Sequence, residues 1–195
     1  MQTTPKQNYE RLEFLGDRVL NLLVARYLFE KYPVSLEGEL TKRMGFASND
    51  NLEEVLNGLD AELKTNFLTF KRNFIPDATT LTADDLEAFV GEYFLKHDWK
   101  MTENNFQEIF PEKINGYDPN KNYIGRLKER FEREHKAVPY YEPKKKEGPD
   151  HQPTFYFQVK IAGESYGEGK GRTQAEARKN AAFAALVRLG EEIDR

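Results

Sequence analysis

The segment from Tyr9 to Tyr32 constrains the fold of this chain most, because it combines a long helical pattern with a concentrated set of acidic side chains. Apolar residues recur along it at steps of three and four, which is typical of an amphipathic helix. Glu10, Glu13 and Asp17 lie at positions i, i+3 and i+7, so their carboxylates project from one face. Because like charges at this spacing repel one another, the pattern favours a cation over that face. Carboxylate oxygens without Cys or His select a hard ion, Mg²⁺ or Mn²⁺.

A second acidic pair occurs later in the chain. Asp84 and Glu87 are again three residues apart, on a segment whose apolar stripe is typical of a helix. Thr82 is expected to cap this helix, and Asp85 suits its first turn. If the two helices pack together, their carboxylates converge on one metal site. The alternative is that these acids are simply solvated, and spacing alone leaves both interpretations open.

Composition limits the class of protein. The chain has 195 residues, enough for one large or two small domains, and its 32% charged and 13% aromatic residues fit a packed protein. No apolar run approaches the roughly 20 residues of a membrane span, and no secretory signal is visible, so we expect no membrane partner. The sequence has no cysteine, which excludes disulfides and Cys-based zinc sites and agrees with the expected cytoplasmic location.

The charge is distributed unevenly along the chain. Residues 1–120 contain 13 Lys and Arg against 21 Asp and Glu, whereas residues 121–195 contain 16 against 12. An acidic half followed by a basic half suits a metal-dependent catalytic module joined to a module that binds a polyanion. Chance variation between two domains is the alternative.

The periodicity predicts a bundle of five or six helices over residues 1–115. After the first helix, which should end near Tyr32, helices are expected over 36–47 with Ser35 as cap, 51–58, 83–97 and 104–110. Residues 60–78 are expected to form a folded loop, and 116–121 a turn-rich linker.

The pattern changes in residues 122–190. A helix over 123–135 is followed by predicted strands at 139–142 and 154–161, with the lysine-rich stretch 144–150 as a loop between them. A third, short strand is expected within 163–171, and an Ala-rich helix over 173–189. The order is α-β-β-β-α.

Three motifs give the chain a resemblance to a known family. ERLEFLGDRVL at 10–20, EGELTKRMGFASNDNL at 37–52 and ADDLEAFVG at 83–91 resemble, in the same order, segments of the ribonuclease III family, whose members cut double-stranded RNA. The later GPDH loop and ARKNAA helix resemble the double-stranded-RNA-binding domain that often follows that catalytic bundle. The resemblance implies an all-α ribonuclease III bundle in 1–115, a linker in 116–121, and a small α+β RNA-binding domain in 122–190. Family members usually have a further helical segment before the first motif, where residues 1–8 are expected to form only a short lead-in; whether that segment is trimmed or naturally absent is left open.

The resemblance also implies the chemistry. It is metal-dependent hydrolysis of RNA phosphodiesters during RNA processing, ribosomal RNA included, giving 5′-phosphate products with short 3′ overhangs. Mg²⁺ is the implied ion, Mn²⁺ can substitute, and no small-molecule cofactor is expected. Asp17 and Glu87 are expected to bind the ion directly, whereas a structural role for Glu13 is as plausible as a catalytic one. The implied catalytic acids are Glu10, Asp17, Asp84 and Glu87, and the implied metal ligands are Glu13, Asp17, Asp84 and Glu87.

The resemblance further implies a homodimer. Phe14 corresponds to an aromatic that enters a hydrophobic socket on the partner subunit, and Glu37 to an acid near the dimer-related cleft. Such a dimer places two acidic clusters in one valley, so that each cuts one strand. The alternative is that Phe14 belongs to the core of the monomer.

Double-stranded RNA is the implied partner of the second domain, which would read duplex shape through phosphates and 2′-hydroxyls. The family usually has a pair of lysines at the start of the last helix, where this chain has Gln174 and Ala175, so we expect weaker, salt-sensitive binding. The residues implied in RNA binding are Arg126, Lys128, Glu129, Pro149, Asp150, His151, Arg172, Arg178 and Lys179.

Two other functions remain open at this level. One is a protein that binds or sequesters double-stranded RNA without cleaving it, and the other is a metal-dependent hydrolase of another phosphodiester. Cleavage of a duplex with Mg²⁺, and none with EDTA, would show a nuclease and exclude the non-cleaving binding protein. Competition between duplex RNA and DNA would test the second.

Overall fold

A computed structural model describes residues 4–134, 137–149, 152–191 and 193. The chain divides into two compact units, with the boundary between Pro119 and Asn120. None of the described helices combines the length and the apolar character that crossing a membrane requires.

The first unit is helical, as predicted. Its helices are α1 (Pro5–Lys31), α2 (Glu37–Met44), α3 (Asn49–Asn57), α4 (Ala61–Arg72), α5 (Ala83–Lys96), α6 (Trp99–Ile109) and α7 (Pro111–Gly116). Short 3₁₀ turns occupy Gly45–Ala47 and Pro119–Lys121.

Helix α1 forms the centre of this unit. One face of it buries Leu20, Val24 and Leu28 in a core that also contains Leu52 of α3 and Leu86 of α5. Burial of a side chain of this size stabilises the fold by roughly 1.5–3 kcal/mol. Leu20 and Val24 lie seven residues after Glu13 and Asp17, so the core holds α1 on the same face that carries these acids, further along the helix.

Helix α1 begins earlier than the sequence pattern indicated, at Pro5 instead of Tyr9. Thr4 forms a capping box with Gln7: the Thr4 hydroxyl accepts from the Gln7 backbone N at 3.2 Å, and the Gln7 side chain accepts from the Thr4 backbone N at 2.9 Å. Pro5 occupies the first helical position, where its missing N–H costs nothing.

The prediction of a loop over residues 60–78 was wrong, because Ala61–Arg72 forms α4. Asp60 caps this helix, since its carboxylate accepts from the Leu63 backbone N at 2.8 Å. Phe67 and Phe70 are buried, and their spacing of three residues is the helical signal in this segment.

Other helix boundaries also shifted. Helix α2 is shorter than predicted and is capped at Leu36 instead of Ser35. Helix α6 starts at Trp99, well before the predicted 104, because the Asp98 carboxylate accepts from the Met101 backbone N at 2.8 Å. Helix α7 was not predicted.

The second unit has the predicted α-β-β-β-α order. It contains α8 (Tyr123–Arg133), β1 (Tyr140–Glu147), β2 (Thr154–Ile161), β3 (Glu164–Gly171) and α9 (Gln174–Arg188). The antiparallel sheet has the order β1-β2-β3. Both helices share one core with the sheet, formed by Leu127, Phe131, Val159, Ile161, Ala181, Ala182, Ala185 and Leu186.

Strand β1 is longer than predicted, and the lysine-rich stretch that we expected to be a loop belongs to it as far as Glu147. Lys145 pairs with Tyr156 and Lys146 with Phe155, after a register shift between Pro143 and Lys145. Because β1 lies at an edge of the sheet, it tolerates both a proline and exposed lysines.

Strand β3 is also longer than expected, and its glycines explain its packing against α9. A Cβ atom on Gly169 would lie 2.2 Å from the Ala181 backbone N, and one on Gly167 would lie 2.5 Å from the Ala181 carbonyl oxygen. Only glycine lets the strand and the Ala-rich helix approach this closely.

Candidate metal centre

Two glycines set the distance between the helices that contain the acidic motifs. A Cβ atom on Gly16 of α1 would lie 1.7 Å from the carbonyl oxygen of Glu87, and one on Gly91 of α5 would lie 2.2 Å from the carbonyl oxygen of Leu12. The two backbones are therefore in direct contact. This close crossing brings together acids that are some seventy residues apart in the sequence.

Three carboxylates converge beside this crossing. Glu13, Asp84 and Glu87 each offer an oxygen, and these oxygens all lie within 4.8 Å of one another. Glu87 is only 6% exposed, whereas Glu13 and Asp84 are partly exposed. One side of the cluster is thus closed by the protein, and the other is open to a ligand. We call these three residues the acidic cluster.

The electrostatics of the acidic cluster are unfavourable without a cation. Burial, followed by repulsion from Asp17, Asp84 and Glu13, raises the pKa of Glu87 from 4.5 to about 7. Burial and the neighbouring Asp84 and Glu10 also raise the pKa of Glu13. The cluster therefore gains either a proton or a cation near neutral pH, and its all-oxygen donor set fits a hard divalent ion.

Asp17 lies outside this group of three. Its carboxylate accepts hydrogen bonds from the Arg18 guanidinium and from Asn21 Nδ2, the latter at 2.7 Å. Its charge nevertheless contributes to the raised pKa of Glu87, so it lies in the same electrostatic field. The structure thus places Asp17 next to the acidic cluster but engages its carboxylate elsewhere.

Glu10 is also outside the group. It is exposed at the start of α1, and its carboxylate lies 3.8 Å from Lys6 Nζ. The acid that the helix turns toward Asp84 and Glu87 is Glu13, which the resemblance implies as a metal ligand, whereas it implies Glu10 only as a catalytic acid.

Sequence reasoning missed three residues that shape this site. Gly16 and Gly91 lie within the recognised motifs, but their role depends on a contact between distant segments. Asp85, expected only to favour the first turn of α5, is fully buried and hydrogen-bonded to Tyr9. The signal in the sequence was the pair of adjacent aspartates at positions 84 and 85, since neighbours on a helix point about 100° apart and only Asp84 shares a face with Glu87.

Phe14 and Glu37 lie on the surface of the first unit. Phe14 is 67% exposed, with the Arg18 guanidinium 5.5 Å from the centre of its ring, so the alternative that it belongs to the monomer core was wrong. Leu22 and Phe29 of the same helix are also exposed. The Glu37 carboxylate accepts a hydrogen bond from the Thr41 hydroxyl at 2.8 Å.

In the second unit, the residues implied in RNA binding differ in their surroundings. Lys128, Glu129, Pro149 and Arg172 are exposed, whereas Arg178 and Lys179 are partly buried. Arg126 is engaged within the unit, since its guanidinium donates to Glu191 and to the Asn120 carbonyl oxygen, both at 2.7 Å. Asp150 and His151 lie outside the described residues.

The start of α9 explains the departure at residue 175, whereas Gln174 is exposed and nothing in the structure accounts for it. Ala175 is 1% exposed, so a lysine at that position would have to leave the core of the unit. Thr173 and Glu176 cap the helix: the Thr173 hydroxyl accepts from the Glu176 backbone N at 3.0 Å, and the Glu176 carboxylate accepts from the Arg172 backbone N at 2.6 Å.

Comparison with known proteins gives matches to both units. The family model of the Ribonuclease III domain matches residues 10–98, and that of the Double-stranded RNA binding motif matches residues 123–189. A Ribonuclease 3 of Treponema denticola is 35% identical over 193 residues, which cover 95% of this chain and 77% of that protein. A Ribonuclease 3 of Bacillus cereus is 34% identical over 197 residues, covering 97% and 79%. Among solved structures, Dicer from Pichia stipitis aligns over 92% of this chain and 88% of its own, with 26% identity and a TM-score of 0.37.

Proposed function

Since this chain belongs to the ribonuclease III family, it is an endoribonuclease of double-stranded RNA, and we propose that Glu13, Asp84 and Glu87 form its catalytic centre. The observation that carries this assignment is the convergence of the three carboxylates, all within 4.8 Å, at the crossing of α1 and α5. The family's two acidic motifs meet at this point of the first unit.

The donor set supports a divalent metal ion at the acidic cluster. The three ligand atoms are carboxylate oxygens, which suit Mg²⁺, with Mn²⁺ as a substitute. A bound cation also relieves the repulsion that raises the pKa of Glu87. When bound in such a site, the ion lowers the pKa of a water molecule and stabilises the oxygen that leaves the phosphate.

The protein's own groups have separate tasks in this proposal. Glu87 and Asp84 would hold the ion from α5, and Glu13 would hold it from α1. Asp17 would supply a fourth ligand if its side chain turned away from Arg18; its charge already acts on Glu87, which supports a place near the ion. Glu10, exposed at the rim, completes the catalytic acids by adding negative charge beside Glu13.

We further propose that two copies act together. The exposed Phe14, with Leu22 and Phe29 on the same helix, supports an apolar contact with a second copy, with Glu37 near it. Each of the two acidic clusters would then cut one strand of the duplex, and the products would have 5′-phosphates and short 3′ overhangs.

We propose that the duplex is bound by residues 122–190 and cut by residues 1–115. The linker between these two domains is residues 116–121. Because A-form RNA is read mainly by shape, exposed basic side chains of the second unit suit contacts with phosphates. The proposed contacts are Arg126, Lys128, Glu129, Pro149, Asp150, His151, Arg172, Arg178 and Lys179. Processing of duplex segments in cytoplasmic RNA is the corresponding cellular role.

A cleavage assay with a labelled RNA duplex tests the assignment. The wild-type protein should cut the duplex with Mg²⁺ and not with EDTA, whereas Glu87→Gln should abolish cleavage and leave duplex binding intact. Glu92→Gln is the matched control, since Glu92 is an acid of the same helix that pairs with Lys96 at 3.0 Å. Full activity of Glu87→Gln would remove Glu87 from the centre. Binding without cleavage in both Mg²⁺ and Mn²⁺ would contradict the nuclease assignment.

A further inference from the structure

Asp85 is a buried acid beside the acidic cluster that does not belong to it. It is 0% exposed, although its neighbour Asp84 is partly exposed and points to the cluster. A buried carboxylate is costly unless hydrogen bonds and an opposite charge compensate it. Asp85 must therefore have a specific set of partners, and the structure identifies them.

The partners of Asp85 come from three separate segments. The Tyr9 hydroxyl of α1 donates to its Oδ1 atom. Lys71 Nζ, at the end of α4, and the Thr82 backbone N both donate to Oδ2, at 2.8 Å and 2.7 Å. Lys71 Nζ also donates to the Thr80 carbonyl oxygen at 3.1 Å. One side chain thus joins α1, α4 and the segment that leads into α5.

The position of these hydrogen bonds matters for the metal centre. Tyr9 lies one helical turn before Glu13, and Asp85 lies between Asp84 and Glu87. The bonds therefore fix the two helices to each other at the level where the ligands meet. Burial, and then the hydrogen bond to Asp85, raise the pKa of the Tyr9 hydroxyl, so it remains a proton donor.

We propose that Asp85, Lys71 and Tyr9 form a positioning unit, the Asp85 tether, which holds Asp84 and Glu87 against Glu13 at the spacing that a divalent ion requires. This inference rests on the proposed metal-dependent function. The tether residues do not contact the ion or the substrate in this account, and they act through the ligands beside them. Groups that orient metal ligands in this way strongly affect metal affinity.

A purely structural role is the competing explanation, and the chain offers a matched control for it. Glu103 of α6 is also buried, at 7% exposure, and it pairs with Arg26 of α1 at 2.7 Å and with Lys100 at 3.3 Å. This ion pair also joins α1 to another helix, but it involves none of the acidic cluster. Loss of either pair should destabilise the first unit, and only loss of the tether should change the metal site.

The test compares Asp85→Asn with Glu103→Gln in the full chain, by thermal unfolding and by calorimetric titration with Mn²⁺. Both variants should lower Tm. Asp85→Asn should weaken Mn²⁺ binding by roughly 10–100-fold, because the neutral amide cannot balance the Lys71 charge and replaces one of the two acceptor oxygens with an NH2 donor. Glu103→Gln should leave Mn²⁺ binding within about twofold of wild type, since distant sites act independently.

Milder variants keep the test decisive if Asp85→Asn fails to fold. Tyr9→Phe removes one hydroxyl and retains the ring, whose centre lies 6.0 Å from the centre of the Phe74 ring. This variant should weaken Mn²⁺ binding by roughly threefold to tenfold. Lys71→Met should have a larger effect, and Lys71→Arg should recover part of the lost affinity because it restores the charge.

The outcomes separate this inference from the proposed function. If the wild type binds Mn²⁺ and the tether variants bind it equally well, the tether is only structural and the inference is overturned. If the wild type itself does not bind Mn²⁺, the metal centre is wrong, and the inference falls with it. A selective loss of Mn²⁺ affinity in the tether variants supports both.

Discussion

The two units both depend on charged side chains, but they arrange them differently. In the first, a few charged side chains from distant segments are held at one crossing, where burial raises the pKa of Glu87 to about 7. In the second, the basic residues proposed for RNA binding are not gathered at one buried point, and Lys128 and Arg172 among them are exposed. Catalysis needs fixed ligand positions, whereas recognition of a duplex needs many weak contacts. Single changes should therefore have large effects in the first unit and small, cumulative effects in the second.

The largest effect is expected at the crossing of α1 and α5. Gly16→Ala would place a Cβ atom 1.7 Å from the Glu87 carbonyl oxygen, so the helices must separate. Overpacking usually costs about 1–3 kcal/mol, and backbone against backbone should reach at least about 3 kcal/mol in the free energy of unfolding. We also expect cleavage to be lost. Urea unfolding and the duplex cleavage assay measure the two effects.

Gly38→Ala is the control for this change. Gly38 is also in a helix of the first unit, but a Cβ atom there would have no atom within 4 Å. Replacing it should stabilise the protein by roughly 0.5–1 kcal/mol through helix propensity alone. Equal effects of the two substitutions would show that the close crossing is not what positions the acids.

The next largest effect is expected on cleavage, where Glu13 and Glu10 of α1 should differ. Glu13→Gln removes a member of the acidic cluster, so cleavage at limiting Mg²⁺ should fall by more than roughly 100-fold, since even residues that only support metal ligands cost 10–100-fold. Glu10→Gln alters an exposed residue and should have a smaller effect. Titration of the cleavage rate with Mg²⁺ provides the measurement. The opposite ranking would show that Glu10 contributes more to cleavage than Glu13 and would remove Glu13 from the centre.

The sequence was informative where the signal is local. Glu10, Glu13 and Asp17 share a helix, and Asp84 and Glu87 share another, so periodicity alone placed each set on one face. The sequence could not select Glu13 over Glu10 and Asp17 as the partner of α5, because that depends on how α1 is rotated against it.

What the sequence did not reveal depends on contacts between distant residues. Asp85 resembles an ordinary first-turn acid until Tyr9 and Lys71 are seen beside it. The lysines of β1 resembled a loop because an edge strand exposes them, and only pairing with β2 shows the strand. In each case the local composition was compatible with two structures, and tertiary packing selected one.

A smaller effect concerns the pH dependence of stability. Because the pKa of Glu87 is about 7 in the folded protein and 4.5 for an ordinary glutamate, the folded protein holds this proton more tightly than the unfolded chain does. Its contribution to stability is present at low pH and is lost as the pH rises through about 7. The metal-free protein should lose roughly 2 kcal/mol of unfolding free energy between about pH 5 and pH 7. Urea unfolding at a series of pH values measures this loss, which Glu87→Gln should remove.

The smallest single effects are expected on the surface of the second unit. Lys128→Ala and Arg172→Ala each remove one exposed cation that we assign to a phosphate contact. Each should weaken duplex binding by only roughly twofold to tenfold, and lower the slope of log affinity against log salt by about 1. Lys160→Ala is the control, because that lysine pairs with Glu142 at 2.9 Å and is not assigned to RNA. Gel-shift titrations at several salt concentrations give both quantities. A drop in affinity with an unchanged slope would mean that the side chain stabilises the second unit instead of contacting phosphate. The proposal that the second unit binds the duplex through many separate phosphate contacts would then be wrong for that residue.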